Sequence, residues 1–386
     1  MAQYDGRDYC SIMLIGLNLL HAHIGIGGGW NYINRLVSAL GEYDQENEYI
    51  CYCTPESECL VPRKPNFRKK KAEFSGTNRI KRILYENTIF PIQAKKDKLD
   101  CLHWFAINLG FFCPVPSVVT IYDMLMYDIP QLYPVTHRVY KKAMISRAVR
   151  LANVLAPMSQ STANTVARIL KGDRERMVII PPMIADEYRP ASTAEVDIFR
   201  AKYGLPDEFW LYVAHFHPYK NHARLFQAYA QMKACGKNHW PLVLRGEKNG
   251  ADDLIAKLLN ENGIMEDVIW LPRLSDGEIP LLFSSASALV FPSTYEGGGM
   301  PVMEAMACGC PVAASTIPTN LEFAGDAALL FDPMRVETIA ESMERLGTDY
   351  ELREKFRQLG RAKVENLRPY NVVKLLVSTY QKTCKK

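Results

Sequence analysis

The chain alternates short apolar runs with longer segments in which apolar positions recur every three or four residues, the periods of buried strands and of helices. "SIMLIGLN" (11–18) reads as a buried strand, "GIGGG" (25–29) as a glycine loop, and "WNYINRLVSAL" places Ile33, Leu36, Val37 and Leu40 on one helical face. Apolar runs at "VVTIYDM" (118–124), "VLAPMS" (154–159) and "MVIIPP" (177–182) predict further strands, separated by helical patterns such as "YKKAMISRAVRLA". The rhythm restarts at "FWLYVAHFHPYKN" (209–221), runs through "WPLVLRGE" (240–247), "VIWLPR" (268–273) and "SALVFPS" (287–293), and ends near "PVAAS" (311–315). Two consecutive α/β blocks are predicted, joined near the polar, proline-marked "DEYRPASTAEVD" (186–197).

One stretch breaks the pattern in a telling way. "YEGGGMPVMEAMACGCPV" (295–312) is a glycine loop followed by a helix-like segment that is apolar or small except for Glu304. A helix apolar all round is a buried helix, and a buried carboxylate needs a partner. Pro301 suits the first helical position and Gly309 the position past the last turn, which places Glu304 in the first turn. Glu296 lies in the loop ahead of it. In open α/β sheets, ligands bind outside the carboxyl ends of the strands, where helix N-termini present free N–H groups. A ligand crossing that helix N-terminus can touch both glutamates, and a vicinal diol offers two donors to one carboxylate. Gly297, Gly298 and Gly299 let backbone N–H groups approach a ligand closely, and Lys220, just after the strand "LYVAHF" (211–216), is the best-placed cation for phosphates.

Composition changes this picture little. A 386-residue chain with 48% hydrophobic and 23% charged residues is ordinary globular material for two domains. Ten cysteines without a repeated C-x-x-C spacing suggest a reduced, cytoplasmic chain, with neither a secretion signal nor a spanning helix evident. Charge adds more. The net charge is only +4, yet residues 63–98 hold twelve Lys and Arg against Glu73, Glu86 and Asp97. That window suggests a solvated surface or an anionic membrane surface, with the protein peripheral at the inner face. Nucleic acid is disfavoured because no recognition module accompanies the charges.

The two glutamates eight residues apart in "EGGGMPVMEAMACGCPVAAS", preceded by "SASALVFPS", resemble the donor-sugar signature of family-4 retaining glycosyltransferases of the GT-B fold. "FHPYKN", "LVLRGE", "LPRLSDGEIPLLFSSA" and "EFAGDAALLFDP" resemble that family in the same order, and "GIGGGWNYINRLVSAL" and "MSQSTANTVARIL" do so more loosely. The resemblance implies two Rossmann-like α/β domains facing each other across a cleft. An acceptor domain would span residues 1–188 and a donor domain 189–366, with a final helix at 367–386 crossing back to the first. It implies transfer of a hexosyl unit, mannosyl or glucosyl, from a GDP- or UDP-linked sugar to a saccharide or lipid-linked acceptor, with retention of anomeric configuration. By the same resemblance Glu296 meets the transferred sugar and Glu304 the ribose, while Met300, Gly28 and Gly29 join the donor-binding set.

Glycosyl transfer develops negative charge on a departing diphosphate, so cations and N–H groups must face it. No D-x-D offers ligands to Mg²⁺, so no metal or other cofactor is expected. The chain departs from its relatives in three places. Ala214 and His215 stand where arginine usually precedes the lysine, leaving Arg245, Arg273 or a protonated His215 as the second cation. Tyr122, followed by Asp123, stands where a histidine usually approaches the sugar, and Gly298 replaces a usual phenylalanine. Tyr122 and Asp123 join Glu296 and Lys220 as catalytic candidates.

The plainer readings are these. Asp123 equally suits the cap of a turn, His103 a satisfied interior histidine, and His21/His23 and His215/His217 loop histidines without a third metal ligand. Two other functions compete: a dinucleotide-dependent oxidoreductase, opposed by Trp30 where G-x-G-x-x-G needs its third glycine, and a noncatalytic sugar-nucleotide-binding protein with a decayed site.

Overall fold

In a computed structural model of the chain, residues 12–23, 28–106, 109–110, 112–236 and 240–384 are described. The segment before Ile12, and Gly25 to Gly27 of the expected glycine loop, lie outside them. The chain forms two units. The first comprises the described residues up to Met158, Thr162–Met183 and the segment from Pro369; the second comprises Ser159–Ser161 and Ile184–Arg368.

In the first unit, strands β1 (Leu14–Asn18), β2 (Glu48–Cys53), β3 (Phe67–Lys71), β4 (Cys101–Trp104), β5 (Ser117–Ile121) and β6 (Val154–Pro157) form a parallel sheet of order β3-β2-β1-β4-β5-β6. The second unit repeats this order with β7 (Trp210–Val213), β8 (Leu242–Arg245), β9 (Val268–Leu271), β10 (Ala288–Phe291), β11 (Val312–Ser315) and β12 (Leu329–Phe331), arranged β12-β11-β10-β7-β8-β9. Fully buried strands such as Trp210–Val213 and Ala288–Phe291 read as continuous apolar runs because helices cover both faces of each sheet. Two such sheets are the doubly wound pair of the GT-B fold.

Four strands escape the apolar-run reading: β2, β3, β4 and β12. β3 reads "FRKKK", and it is the sheet edge, where lysines oppose further strand pairing. Conversely "MVIIPP" is not a full strand. It lies beside β6 through a single bridge, Leu155 to Met177, and the prolines at 181 and 182 have no N–H to extend the ladder. The polar stretch at 186–197 includes the capping box of Ser192 and Glu195, which starts a helix, Thr193–Tyr203.

The last helix, Pro369–Cys384, returns to the first unit and buries Val372, Val373, Leu376 and Tyr380 in the core that contains Ile33 and Leu36 of helix α1 (Gly28–Tyr43). His103 locks it there. Its Nδ1 lies 2.6 Å from the Tyr380 hydroxyl and its Nε2 lies 2.8 Å from Thr120 Oγ1, so the histidine is a satisfied interior residue. Burial lowers the His103 pKa to about 3. The unfolded chain takes up that proton near the ordinary imidazole value of about 6.5, so acid favours unfolding and stability falls as pH drops from about 6.5 towards 3. Between pH 7 and pH 5 this one residue is expected to cost the fold about 2 kcal/mol. Urea midpoints at the two pH values check it, because the loss should shrink by about that amount in His103→Asn. An unchanged loss contradicts it.

Candidate functional site

β7 and β10 are neighbours at the centre of the second sheet, and the strand order runs outward from them in both directions. The crevice at such a reversal point is where doubly wound sheets take ligands. The loops leaving these two strands bring Lys220 and Glu296 together: Nζ lies 2.6 Å from Oε1, and the side chains are only 15% and 10% exposed. This pairing was not among the expectations from sequence, which placed each residue at the sheet edge separately.

Neighbouring hydrogen bonds fix both loops. Asn221, in the left-handed conformation at φ 64°, donates from Nδ2 to the carbonyls of Pro292 at 3.0 Å and Pro333 at 2.7 Å. The Tyr212 hydroxyl donates to the Lys220 carbonyl. The Thr294 N–H and hydroxyl both donate to the Tyr219 carbonyl, at 2.8 and 3.0 Å. The Thr319 hydroxyl donates to the Glu296 carbonyl at 2.7 Å. The Lys220 ammonium also lies 5.2 Å from the Tyr219 ring centroid and 5.8 Å from that of Phe291, a favourable cation–π setting.

The glycine loop then turns into the helix Met300–Ala307. Gly299 has φ +61°, and a Cβ there would lie 3.5 Å from Asn320 Oδ1 and from Thr319 Cγ2. Gly298 is buried, while Gly297 and Met300 are partly exposed. Because Gly299 caps the helix, Met300 is its first residue, and the expected place of Glu304 needs correction: it falls in the second turn, not the first. It is 7% exposed, in the company of Val302, Met303, Ala305 and Met306. Asn320, which sequence reading missed, donates from Nδ2 to the Ser315 carbonyl at 3.1 Å and to Ser315 Oγ at 3.0 Å. Its Oδ1 is buried with no hydrogen-bond partner among the described residues. The only signal was its place in "IPTNLEF", the strand-to-helix junction beside the glycine loop.

Arg245 and Arg273 share a second feature. With Trp270 and Gly246 they line one pocket of about 330 Å³ at the carboxyl ends of β8 and β9. Gly246 has φ +151°, and a Cβ there would sit 1.9 Å from the Ala214 carbonyl oxygen, so only glycine lets the β8 loop pass the β7 loop. Arg245 Nε is buried and has no partner among the described residues. His215 drops out as a cation. Burial above all, and then the Arg245 charge, lowers its pKa, and its Nδ1 accepts the Glu247 N–H at 2.9 Å, as only an unprotonated nitrogen can. His217 Nε2 lies 3.2 Å from Asn249 Nδ2, a loop histidine as expected.

The remaining candidates belong to the first unit. Tyr122, just past β5, meets Tyr32 edge to face at 5.5 Å and an interplanar angle of 85°. Burial, and then Tyr32, raise the pKa of Tyr122 well above the ordinary phenol value, so it stays a neutral donor. Its hydroxyl is buried with no hydrogen-bond partner among the described residues. Asp123 Oδ1 accepts the Leu125 N–H at 2.9 Å, so this carboxylate caps a turn. Gly28 and Gly29 are the first two residues of α1, Gly28 being exposed. The structure thus pairs Lys220 with Glu296 and sets Arg245 and Arg273 around one pocket, whereas Tyr122 and Asp123 are neighbours by sequence.

Residues 195–363 match the model of a known family, described as glycosyl transferases group 1. The chain is 30% identical to O-antigen chain mannosyltransferase B of Escherichia coli over 226 residues, which cover 58% of this chain and 59% of that relative's length. Among solved structures, sucrose-phosphate synthase from Thermosynechococcus elongatus superimposes with a TM-score of 0.76 at 20% identity, over 96% of this chain and 98% of that one. Anabaena HepE in complex with UDP-glucose does so with a TM-score of 0.75 at 15% identity, over 95% and 99%. At these identities the likeness to the two structures is one of fold.

Proposed function

We propose that this chain belongs to the glycosyl transferases group 1, whose model matches residues 195–363, and that it is a retaining glycosyltransferase. It moves a mannosyl or glucosyl unit from a GDP- or UDP-linked sugar to a saccharide or lipid-linked acceptor, without a metal ion. The observation that carries this reading is the Lys220–Glu296 ion pair at the reversal point of the second sheet. It sets a cation for a diphosphate beside a carboxylate for sugar hydroxyls.

In the proposed reaction, the bond from the anomeric carbon to the phosphate oxygen breaks and its electron pair stays on the diphosphate. The acceptor oxygen bonds to the same face of that carbon, and its proton passes to the departing phosphate oxygen. Lys220 and one of Arg245 and Arg273 offset the charge that develops on the diphosphate. Glu296 takes hydroxyls of the transferred sugar, and Glu304 takes the ribose diol. Tyr122 and Asp123, in the first unit, are proposed as further catalytic groups. The buried, unpartnered hydroxyl of Tyr122 supports this for the tyrosine. Mannose is favoured because the E. coli relative is named for it. No helix among the described residues is long and apolar enough to cross a membrane, and we place the enzyme in the cytoplasm, peripheral at the inner face of the membrane.

Proton NMR of the freshly formed glycoside tests the stereochemistry, with retention expected and an inverted product contradicting it. Run in EDTA, the same reaction should keep its rate, because neither a lysine nor an arginine is removed by a chelator. Complete loss of activity, restored by Mg²⁺ or Mn²⁺, would contradict the metal-free mechanism.

A further inference from the structure

The twelve bases between Arg63 and Lys98 are not one patch. Those of the edge strand β3 are already paired: Arg68 with Glu48 at 2.8 Å, Lys69 and Lys71 with Glu58 at 2.5 and 2.6 Å, and Lys70 with Asp97. Two short helices that follow are built differently. Helix α2 (Arg79–Asn87) buries only Glu86, and turns Ile80 (74% exposed) and Leu84 (60%) to solvent. Helix α3 (Ile89–Lys96) buries Phe90, Pro91 and Ala94, and turns out Ile89 (57%) and Ile92 (71%). The spacings are four and three residues, so each helix carries one apolar stripe on its outer face, the reverse of a helix that serves only its own core. Lys81 and, one turn past Ile92, Lys95 and Lys96 flank the stripes, are exposed, and take no part in the ion pairs above.

We infer that the outer face of α2 and α3 is a docking surface for an anionic lipid bilayer. Aliphatic side chains of the size of isoleucine and leucine enter the acyl boundary while lysines beside them meet lipid phosphates, and charge complementarity selects this occupant. A second copy of the chain would bring lysines against lysines. The surface also adjoins the acceptor-binding unit's candidate residues. The Arg79 guanidinium lies 4.6 Å over the Tyr140 ring, in the helix Val135–Leu151, which itself exposes Val135 and Val139. The next residue of that helix, Lys141, feels the charges of both Asp123 and Arg79. A docked α2 and α3 therefore brings the carboxyl edge of β5 close to the lipid surface, where a lipid-linked acceptor presents its sugar. That last step rests on the proposed function, whereas the docking itself does not.

Flotation with vesicles separates the two. The full chain should float with phosphatidylcholine vesicles containing phosphatidylglycerol and not with phosphatidylcholine alone, and the bound fraction should fall steeply between about 0.05 and 0.5 M NaCl. The Ile80→Ser, Leu84→Ser, Ile89→Ser, Ile92→Ser variant should bind at least roughly tenfold more weakly, and so should Lys81→Ser, Lys95→Ser, Lys96→Ser. Arg68→Ser, Lys69→Ser, Lys70→Ser, Lys71→Ser should stay within about threefold of the wild type, because those charges are already paired. All substituted side chains on α2 and α3 are exposed, so circular dichroism and nucleoside diphosphate affinity should not change. The inference is overturned if the wild type ignores anionic vesicles at low salt, or if the β3 variant loses as much binding as the other two. A lipid-free dimer dissolved by the apolar variant would also overturn it, by giving the face to a second copy. Vesicle binding without sugar transfer would instead count against the proposed function alone.

Discussion

Replacing Lys220 by alanine is expected to lower the rate of sugar transfer by at least about tenfold, equivalent to about 1.4 kcal/mol of transition-state stabilisation. It should also destabilise the second unit. The Glu296 side chain is 10% exposed and its carboxylate lies 2.6 Å from Lys220 Nζ, so the variant strands a charge that water reaches poorly, at a cost on the order of 2 kcal/mol. The two effects come apart in a double variant. Lys220→Ala with Glu296→Gln removes the stranded charge and should recover most of the lost stability in a urea titration, while turnover stays low because both reacting-end contacts are gone. Turnover that returns with stability would mean that the lysine only holds the loop. An undiminished rate in the single variant would remove Lys220 from the chemistry altogether.

Much of this architecture could be read along the chain, and the failures have physical causes. β1, β5, β6 and β7 to β11 announce themselves as apolar runs because both faces of each sheet are covered. β3 does not, since an edge strand carries the opposite composition, and the three residues of β12 are too few to show a period. "MVIIPP" looks like a strand by composition and is denied a ladder by its prolines. At the site, Lys220 and Glu296 were each legible as strand-end residues. Their ion pair was not, because it spans 76 positions and depends on β7 and β10 being neighbours. The same blindness hides pairing in the basic window: Glu48 and Glu58, which offset Arg68, Lys69 and Lys71, stand outside residues 63–98. Gly246 shows the converse: nothing in "LRGE" reveals that a carbonyl lies where its side chain would be.

Glu304→Gln is the second substitution with a large expected effect, on nucleotide affinity. The glutamate is 7% exposed among Val302, Met303, Ala305 and Met306, and in the proposed complex it accepts two hydroxyl donors from the ribose. The amide keeps the shape and loses the charge, which for hydrogen bonds to an ionised group is worth about 1.5–3 kcal/mol, or roughly ten- to a hundredfold in dissociation constant. Glu304→Ala should lose more. Glu296→Ala should behave differently, depressing turnover of the sugar nucleotide while leaving nucleoside diphosphate affinity nearly intact, because its proposed partner is the sugar. Calorimetric titration with GDP and UDP reads the affinities. Equal weakening in both variants would end the proposed division of roles, and unchanged affinity in Glu304→Gln would end the ribose assignment.

The account stands on the claim that the second unit binds a nucleotide-diphosphate sugar and cleaves it at the Lys220–Glu296 pair. Its most direct test is the release of nucleoside diphosphate when the purified full chain is mixed with GDP-mannose, UDP-glucose and related donors, followed for the wild type and for Glu296→Ala. The account predicts turnover of at least one donor by the wild type, slow without acceptor, and a loss of at least about tenfold in the variant. Tight binding of a donor with no release would leave a sugar-nucleotide-binding protein without catalysis. Failure to bind any donor, together with quenching or enhancement of reduced nicotinamide fluorescence, would contradict the account outright.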